Sequence, residues 1–326
     1  MERLIEAYGL SKHFSVNRSL KQMLRGQRPL VRAVDGIDLA IEQGESIGLV
    51  GESGSGKTTV GRLLLRLTKA SGGQLTYRGE HVDAMKTARL KTFRRQAQLV
   101  FQNPFDALNP RFPIRRIVAE PLVNMGVPSE DHADRVADSL RLVGLAEPQR
   151  YLDSLPHQLS GGQLQRIVMA RALVIGPEFL VADEPVSMLD VSVRAGILNL
   201  LRDLKARLSL TSFTISHDLT LVRYICSRTI VMYLGRVVEQ GPTEEIIQRP
   251  AHPYTKALIA AVPTPDVDQS REALPISGSI GNALHPPPGC RLCDRCPYVF
   301  ARCREEEPRL VEVTPGRYSA CHLHAA

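Results

Sequence analysis

Short, unbroken apolar runs alternate along the chain with longer stretches in which apolar residues recur every three or four positions. The runs Ser46–Val50, Ala97–Phe101, Phe179–Ala182, Ser212–Ile215 and Thr229–Tyr233 predict strands buried on both faces. Lys57–Thr68 sets Val60, Leu63, Leu64 and Leu67 on one helical face. Gln163–Val174 does the same with Leu164, Ile167, Val168 and Leu173, and Val193–Leu208 with Ile197, Leu200, Leu201 and Leu204. Strands alternating with helices predict an α/β fold, a mostly parallel sheet covered on both sides. Val231–Gln240 instead predicts a hairpin turning at Leu234-Gly235.

Three stretches depart from the alternation. Residues 103–150 hold a loop rich in Pro and Asn and then a helix-like stretch, Glu130–Val143, and read as a helical insertion extending over about 103–170. Ser15–Leu30 carries Arg18, Lys21, Arg25 and Arg28 with few large apolar residues, as in a surface excursion between early strands. Pro263–Gly289 is punctuated by Pro and Gly and has little periodicity.

The length, 326 residues, allows two domains with room for a third at roughly 100–200 residues each. With 43% hydrophobic and 23% charged residues, disorder is excluded as the dominant state. Cysteine divides the chain: Cys226 stands alone before residue 290, and five more lie between Cys290 and Cys321. The expected organisation is a large domain over 1–242 and a small Cys-rich C-terminal appendage over 243–326. The formal charge is 41 − 34 = +7, which suits a polyphosphate, nucleic acid or an anionic membrane without separating them. No apolar run reaches the roughly 18–20 residues of a membrane span, and the first residues lack the apolar core of a secretory signal. A cytosolic chain is expected, in which the cysteines do not pair as disulfides.

Three motifs carry chemistry. Gly51-Glu52-Ser53-Gly54-Ser55-Gly56-Lys57-Thr58 follows an apolar strand and opens an amphipathic helix, the context of a phosphate loop. Glycines let backbone wrap a phosphate, and the N–H groups of Ser55 to Thr59 are expected to line the loop with the positive end of the helix behind them. Lys57 suits the β- and γ-phosphates of a nucleotide and the Thr58 hydroxyl suits Mg²⁺. The strand Phe179–Ala182 ends in Asp183-Glu184. Asp183 fits the Mg²⁺ shell, and Glu184, expected on the other side of an extended backbone, could polarise an attacking water. Leu159-Ser160-Gly161-Gly162-Gln163 precedes a helix, with Ser160 as its N-cap and two glycines that permit a phosphate to approach.

Together these motifs make the chain resemble the ATP-binding subunits of ABC transporters, and among them the dipeptide/oligopeptide importer family. The likeness covers nearly the whole chain. Its marks are Phe101-Gln102-Asn103-Pro104, Leu108-Asn109-Pro110-Arg111, Asp183–Ser187 followed by Leu189-Asp190-Val191-Ser192-Val193-Arg194, His217, and His252-Pro253-Tyr254-Thr255. The resemblance implies a phosphate-loop ABC ATPase core with a helical subdomain. It implies that Gln102 senses Mg²⁺ and the water, that His217 contacts the γ-phosphate and that Phe14 stacks on adenine, with Tyr8 as the alternative. It also implies head-to-tail nucleotide dimers in which Ser160, Gly161, Gly162 and Gln163 close over the partner's ATP and Asp190 joins the two sites. Met188 departs from the small residue usual there, which puts interface packing in doubt. Gln102–Val123, with Arg111, Arg115 and Arg116, is the expected surface toward the membrane protein.

The implied partners are transmembrane permease subunits, a second ATPase subunit (a homologous sister chain or a second copy) and an extracytoplasmic substrate-binding protein, with no nucleic acid. The implied place is the cytoplasmic face of the inner membrane. Peptides are the expected cargo, with nickel, sugars or opine-like compounds as alternatives. A soluble ABC ATPase acting on ribosomes or DNA is a further alternative, against which stand the single phosphate loop and the lack of a coiled coil.

The spacing Cys290-x2-Cys293-x2-Cys296, then Cys303 and Cys321, points to metal in a cytosolic chain. Iron–sulfur, zinc and no stable metal all remain open, since Cys321-His322-Leu323-His324 offers imidazole as well. The family resemblance implies a [4Fe–4S] cluster on Cys290, Cys296, Cys303 and Cys321, with Cys293 a spare thiol or an alternative ligand.

Overall fold

The computed structural model describes residues 2–15, 30–262, 276, 281, 283–284 and 286–324. The expected surface excursion, at 16–29, and most of 263–285 lie outside the described residues. In chain order the strands are β1 (Arg3–Ser15), β2 (Leu30–Glu42), β3 (Ser46–Val50), β4 (Gly72–Tyr77), β5 (Glu80–His81), β6 (Ala97–Val100), β7 (Phe179–Asp183), β8 (Thr211–Ser216), β9 (Arg228–Tyr233), β10 (Arg236–Pro242), β11 (Val311–Thr314) and β12 (Arg317–Ser319). The chain divides into two compact units. The first comprises Met1–Glu2, Glu42–Ser46 and Ala84–Ile215, the second Arg3–Ile41, Ile47–Asp83 and Ser216–Ala326.

In the first unit, β6, β7 and β8 run parallel, with Ala97 opposite Phe179 and Phe179 opposite Thr211. Every residue of β7 is buried, as the unbroken apolar run requires of a central parallel strand. Between β6 and β7 the chain is helical. Ile114–Met125, His132–Leu142 and Gly161–Leu173 turn Ile117, Val118, Leu122, Leu140, Ile167 and Val168 inward. Each such side chain contributes about 1.5–3 kcal/mol when taken from water. Gly161–Leu173 begins on a capping box, in which the Gln163 N–H donates to Ser160 Oγ and the Ser160 N–H donates to Gln163 Oε1. The register carries the C-terminal ends of β6 and β7 to one edge, with Val100 opposite Ala182. Ligands of parallel sheets bind outside such an edge.

In the second unit, β3 runs parallel to β9, and the mixed sheet continues from β9 to β10, β12 and β11. A second sheet has the order β2-β1-β4-β5. The β9–β10 hairpin turns at Leu234-Gly235, where both residues have positive φ (+41° and +82°), the twist a two-residue turn needs. Glu239 of β10 is fully buried; its carboxylate accepts from the Ala251 and His252 N–H groups at 2.8 and 2.9 Å and from Arg317 of β12 at 3.3 Å. That acid ties the C-terminal segment to the sheet.

The helix expected over 57–68 ends at Leu64. Arg66 adopts φ +49°, its N–H donates to Leu63 O and the Leu67 N–H donates to Arg62 O, so a Schellman turn stops the helix. Leu67 is consequently exposed. The sheet β2-β1-β4-β5, antiparallel at β1–β4 and β4–β5, has no clear signal in the sequence, because β1 does not alternate cleanly. Its register with β4 shifts between Tyr8 and Ser11, and Gly9 sits at φ +57° in the irregularity.

Candidate functional site

The phosphate loop joins β3 to the helix Lys57–Leu64 in the second unit. Two of its glycines are there because nothing larger fits. A Cβ on Gly51 falls 2.2 Å from Met232 O, and one on Gly56 falls 2.0 Å from Ala33 O. The backbones of β9 and β2 thus hold the loop closely, and the Gly235 N–H of the hairpin turn donates to Ser55 O at 2.9 Å. Lys57 is buried, with Nζ donating to Gly51 O at 2.7 Å and Glu52 O at 2.9 Å. Ser53 and Gly54 are exposed at the tip, and Thr58 and Thr59 are half-buried at the start of the helix. The Ser55 N–H, expected to face the loop interior, instead closes a turn onto Glu52 O at 3.2 Å. Ser55 Oγ is buried with no hydrogen-bond partner among the described residues, an orphaned hydroxyl in a cradle suited to phosphate oxygens.

Three further predicted residues lie in this unit. Phe14 is exposed near the end of β1 with Lys12 Nζ 5.1 Å from its ring centre. Tyr8, the alternative, is also exposed, and its hydroxyl donates to Glu6 at 2.7 Å. His217 is exposed between buried Ser216 and half-buried Asp218, and the Asp218 carboxylate caps the helix Leu219–Ile225 by accepting from the Thr220 N–H at 2.8 Å.

The remaining residues lie in the first unit. Asp183 closes β7 and is buried. Glu184 does not continue the strand. It adopts φ +44°, while its N–H donates to Ile215 O at 2.9 Å. The expectation of an extended backbone at Glu184 is therefore corrected: a left-handed residue, not the strand pleat, aims the carboxylate. Such conformations cost about 1–3 kcal/mol and persist where neighbours enforce them. Gln102 Nε2 donates to Glu184 Oε2 at 3.0 Å, which joins the two predicted groups and leaves Oε1 as the hard donor of the amide. At the glycine-rich pentapeptide, a Cβ on Gly162 falls 2.6 Å from Val193 Cγ1, so the start of this helix packs closely on the helix Val191–Leu208. Asp190 is exposed at the N-cap of that second helix, beside exposed Met188.

In the second unit, Cys290, Cys296, Cys303 and Cys321 line one small cavity together with Cys293, His252 and His322. Burial pushes the Cys290 thiol up to about 12, reinforced by Cys321, Cys303 and Cys296 nearby. Cys296 and Cys321 are also raised, first by burial and then by the other thiols. Cys293 is raised by burial and by Asp294, toward which its Sγ points at 3.7 Å. Four thiols are therefore mutual electrostatic neighbours, and Cys293 has another. No group of three or more His, Cys, Asp or Glu among the described residues could hold a metal ion as placed.

Two residues that motif reading passed over touch the loop. The Glu52 N–H donates to Tyr254 Oη at 2.7 Å, and the Glu52 carboxylate accepts from Arg295 at 2.9 and 3.1 Å. Tyr254 was noted only as part of His252–Thr255. Arg295 sits inside the cysteine run with no spacing signal, 243 positions from Glu52.

Known proteins resemble this one over nearly the whole chain. The ABC transporter family model matches residues 34–187, and the model for the oligopeptide/dipeptide transporter C-terminal region matches 238–303. A protein of Brucella ovis named as a peptide import ATP-binding protein is 43% identical, covering 98% of this chain and 97% of its own. The dipeptide transport ATP-binding protein DppF of Haemophilus influenzae is 41% identical, over 98% and 96%. Among solved structures, the dimeric bacterial ABC transporter cassette MJ0796 aligns with a TM-score of 0.64 at 27% identity, over 74% of this chain and 99% of that one. The same cassette in a post-hydrolysis state with ADP and Pi aligns with a TM-score of 0.64 at 26% identity.

Proposed function

The chain belongs to the ABC transporter ATP-binding family, in its oligopeptide/dipeptide branch, and on that premise we propose that it energises peptide uptake through separate permease subunits. The observation that carries the ATPase reading is the phosphate loop, whose Gly51 and Gly56 admit no Cβ and whose lysine and orphaned serine hydroxyl line one cradle. The N–H groups of Gly56 to Thr59, at the start of the helix, cradle the phosphates, while Lys57 neutralises them. Thr58 and Asp183, with Gln102 Oε1, hold Mg²⁺; hydroxyl, carboxylate and amide oxygen are the hard donors this cation takes. Glu184 accepts the proton of the attacking water, His217 holds the γ-phosphate and Phe14 stacks on adenine. Ser160, Gly161, Gly162 and Gln163 engage the nucleotide of a second ATPase subunit, beside Asp190. ATP then supplies interface contacts that hydrolysis removes, which shifts the population between closed and open dimers.

The catalytic domain is 1–242 and the C-terminal domain 243–326. No helix among the described residues is long and apolar enough to cross a membrane. The permease subunits supply the membrane path, and the ATPase sits on their cytoplasmic side, as befits an import ATP-binding subunit. A substrate-binding protein outside delivers the cargo. In the C-terminal domain, Cys290, Cys296, Cys303 and Cys321 would hold a [4Fe–4S] cluster once they close on it: they line one cavity, and burial keeps the Cys290, Cys296 and Cys321 thiols protonated until a cation displaces the protons. Zinc is the competing occupant.

The test is reconstitution of the chain with its permease and sister ATPase in vesicles. ATP-dependent uptake of labelled di- and oligopeptides, abolished by Lys57→Ala, is expected; uptake of nickel or a sugar instead reassigns the cargo. Anaerobic purification with elemental analysis tests the cluster. Four iron per chain, lost in Cys290→Ser and Cys303→Ser with ATP binding retained, is expected; full iron in those variants removes the assignment.

A further inference from the structure

Glu52 places a carboxylate inside the loop that receives a polyanion, and that arrangement requires compensation. The compensation comes from the cysteine run. Arg295 meets Glu52 as a fork, one nitrogen to each oxygen, at 2.9 and 3.1 Å. The pair is shielded, with side chains 12% and 27% exposed. Arg295 also donates to Tyr233 Oη at 3.3 Å, and its guanidinium lies 5.7 Å from that ring centre. The Tyr233 and Tyr254 ring centres lie 4.7 Å apart with the rings tilted by 53°, and the Tyr254 hydroxyl accepts from the Glu52 N–H. With Lys57 on its carbonyl oxygen, Glu52 is held at its amide, its carbonyl and its carboxylate. Arg291, one turn earlier in the run, is itself buried against Asp35 and Leu234 O, so the backbone carrying Arg295 is anchored.

We propose that Arg295 is a positioning residue for nucleotide binding, which neutralises and orients Glu52 so that the phosphate loop accepts a triphosphate. The inference rests on the ATPase reading above. Without the guanidinium, the carboxylate faces the phosphates uncompensated, and the loss falls on binding rather than on the chemical step. Breaking one partner of a shielded, hydrogen-bonded charge pair leaves the other charge costly to keep.

The experiment is binding of a fluorescent ATP analogue with Mg²⁺, and steady-state ATPase kinetics, on the full chain. Arg295→Ala is expected to raise Kd and KM by about tenfold with kcat changed by less than about twofold. Adding Glu52→Gln in that background is expected to restore most of the lost affinity, a rescue that a merely structural contact does not give. Arg295→Ala with wild-type affinity overturns the proposal, as does a double variant that stays as weak as the single one. Should Arg295→Ala not fold, Arg295→Gln read against Arg295→Gln/Glu52→Gln carries the same contrast. A wild-type chain that neither binds nor hydrolyses ATP sinks the ATPase reading itself. Wild-type activity with unaltered variant affinity sinks only this inference.

Discussion

Within one unit, the phosphate loop and the cysteine-lined cavity are built by different means. At the loop, Gly51 and Gly56 bring the chain so close to Met232 O and Ala33 O that backbone itself forms the walls, with one lysine as the charge. At the cavity, side-chain sulfur from Cys290, Cys296, Cys303 and Cys321 makes the lining, and burial, then neighbouring thiols, disfavours ionisation of Cys290, Cys296 and Cys321. The first is a site walled by closely packed backbone. The second groups soft donors whose repulsion on ionising a cation relieves. The two are not independent, because Arg291 and Arg295, which stand between the cysteines, reach Asp35 and Glu52.

Separating the two regions gives the largest expected effects. Arg291→Ala removes the buried partner of Asp35, whose carboxyl burial pushes up but Arg291, Arg236 and His13 together hold below its ordinary value. A loss of about 3–5 kcal/mol in a denaturant melt is expected, the range for breaking a buried pair; a loss under about 1 kcal/mol counts against the anchoring role. Glu184→Gln is expected to lower ATP turnover by about 10²–10⁴-fold while nucleotide binding and thermal stability stay near wild type. Near-normal turnover assigns the water-activating role elsewhere.

Acid should reach the C-terminal segment through His252. Burial, aided by the charge of His324, lowers this imidazole from 6.5 to about 3. Its Nδ1 accepts from the Tyr254 N–H at 3.1 Å, so the folded ring stays neutral where the unfolded one is protonated. The associated stability is whole above about pH 6.5 and is lost as pH falls toward 3, by about 2 kcal/mol between pH 7.5 and 5. His252→Asn, which can still accept from the backbone, should flatten that slope in melts across the range; an unchanged slope places the acid sensitivity elsewhere. The smallest effect expected is that of Ser160→Ala, which removes one half of a capping box and costs about 1 kcal/mol. Faster hydrogen exchange confined to the first turn of Gly161–Leu173 is the signature to look for.

Much of this was legible before any coordinates. The strands Ser46–Val50 and Phe179–Asp183 and the turn at Leu234-Gly235 follow from short-range pattern. So does the phosphate loop, because its eight residues dictate a local backbone course whatever surrounds them. The left-handed Glu184 was not legible, since a neighbouring strand imposes it through Ile215 O. Nor was the sheet β2-β1-β4-β5, where an irregular register at Gly9 breaks the period of two that announces a strand.

By itself, then, the order of residues determined the central strands, the phosphate loop and the family, because these are written in short runs of neighbouring residues. The tertiary structure alone decided which of five thiols face one another and that Glu52 meets a guanidinium 243 positions away. Such pairings depend on which distant segments gain most by being buried together, and residue spacing does not record that.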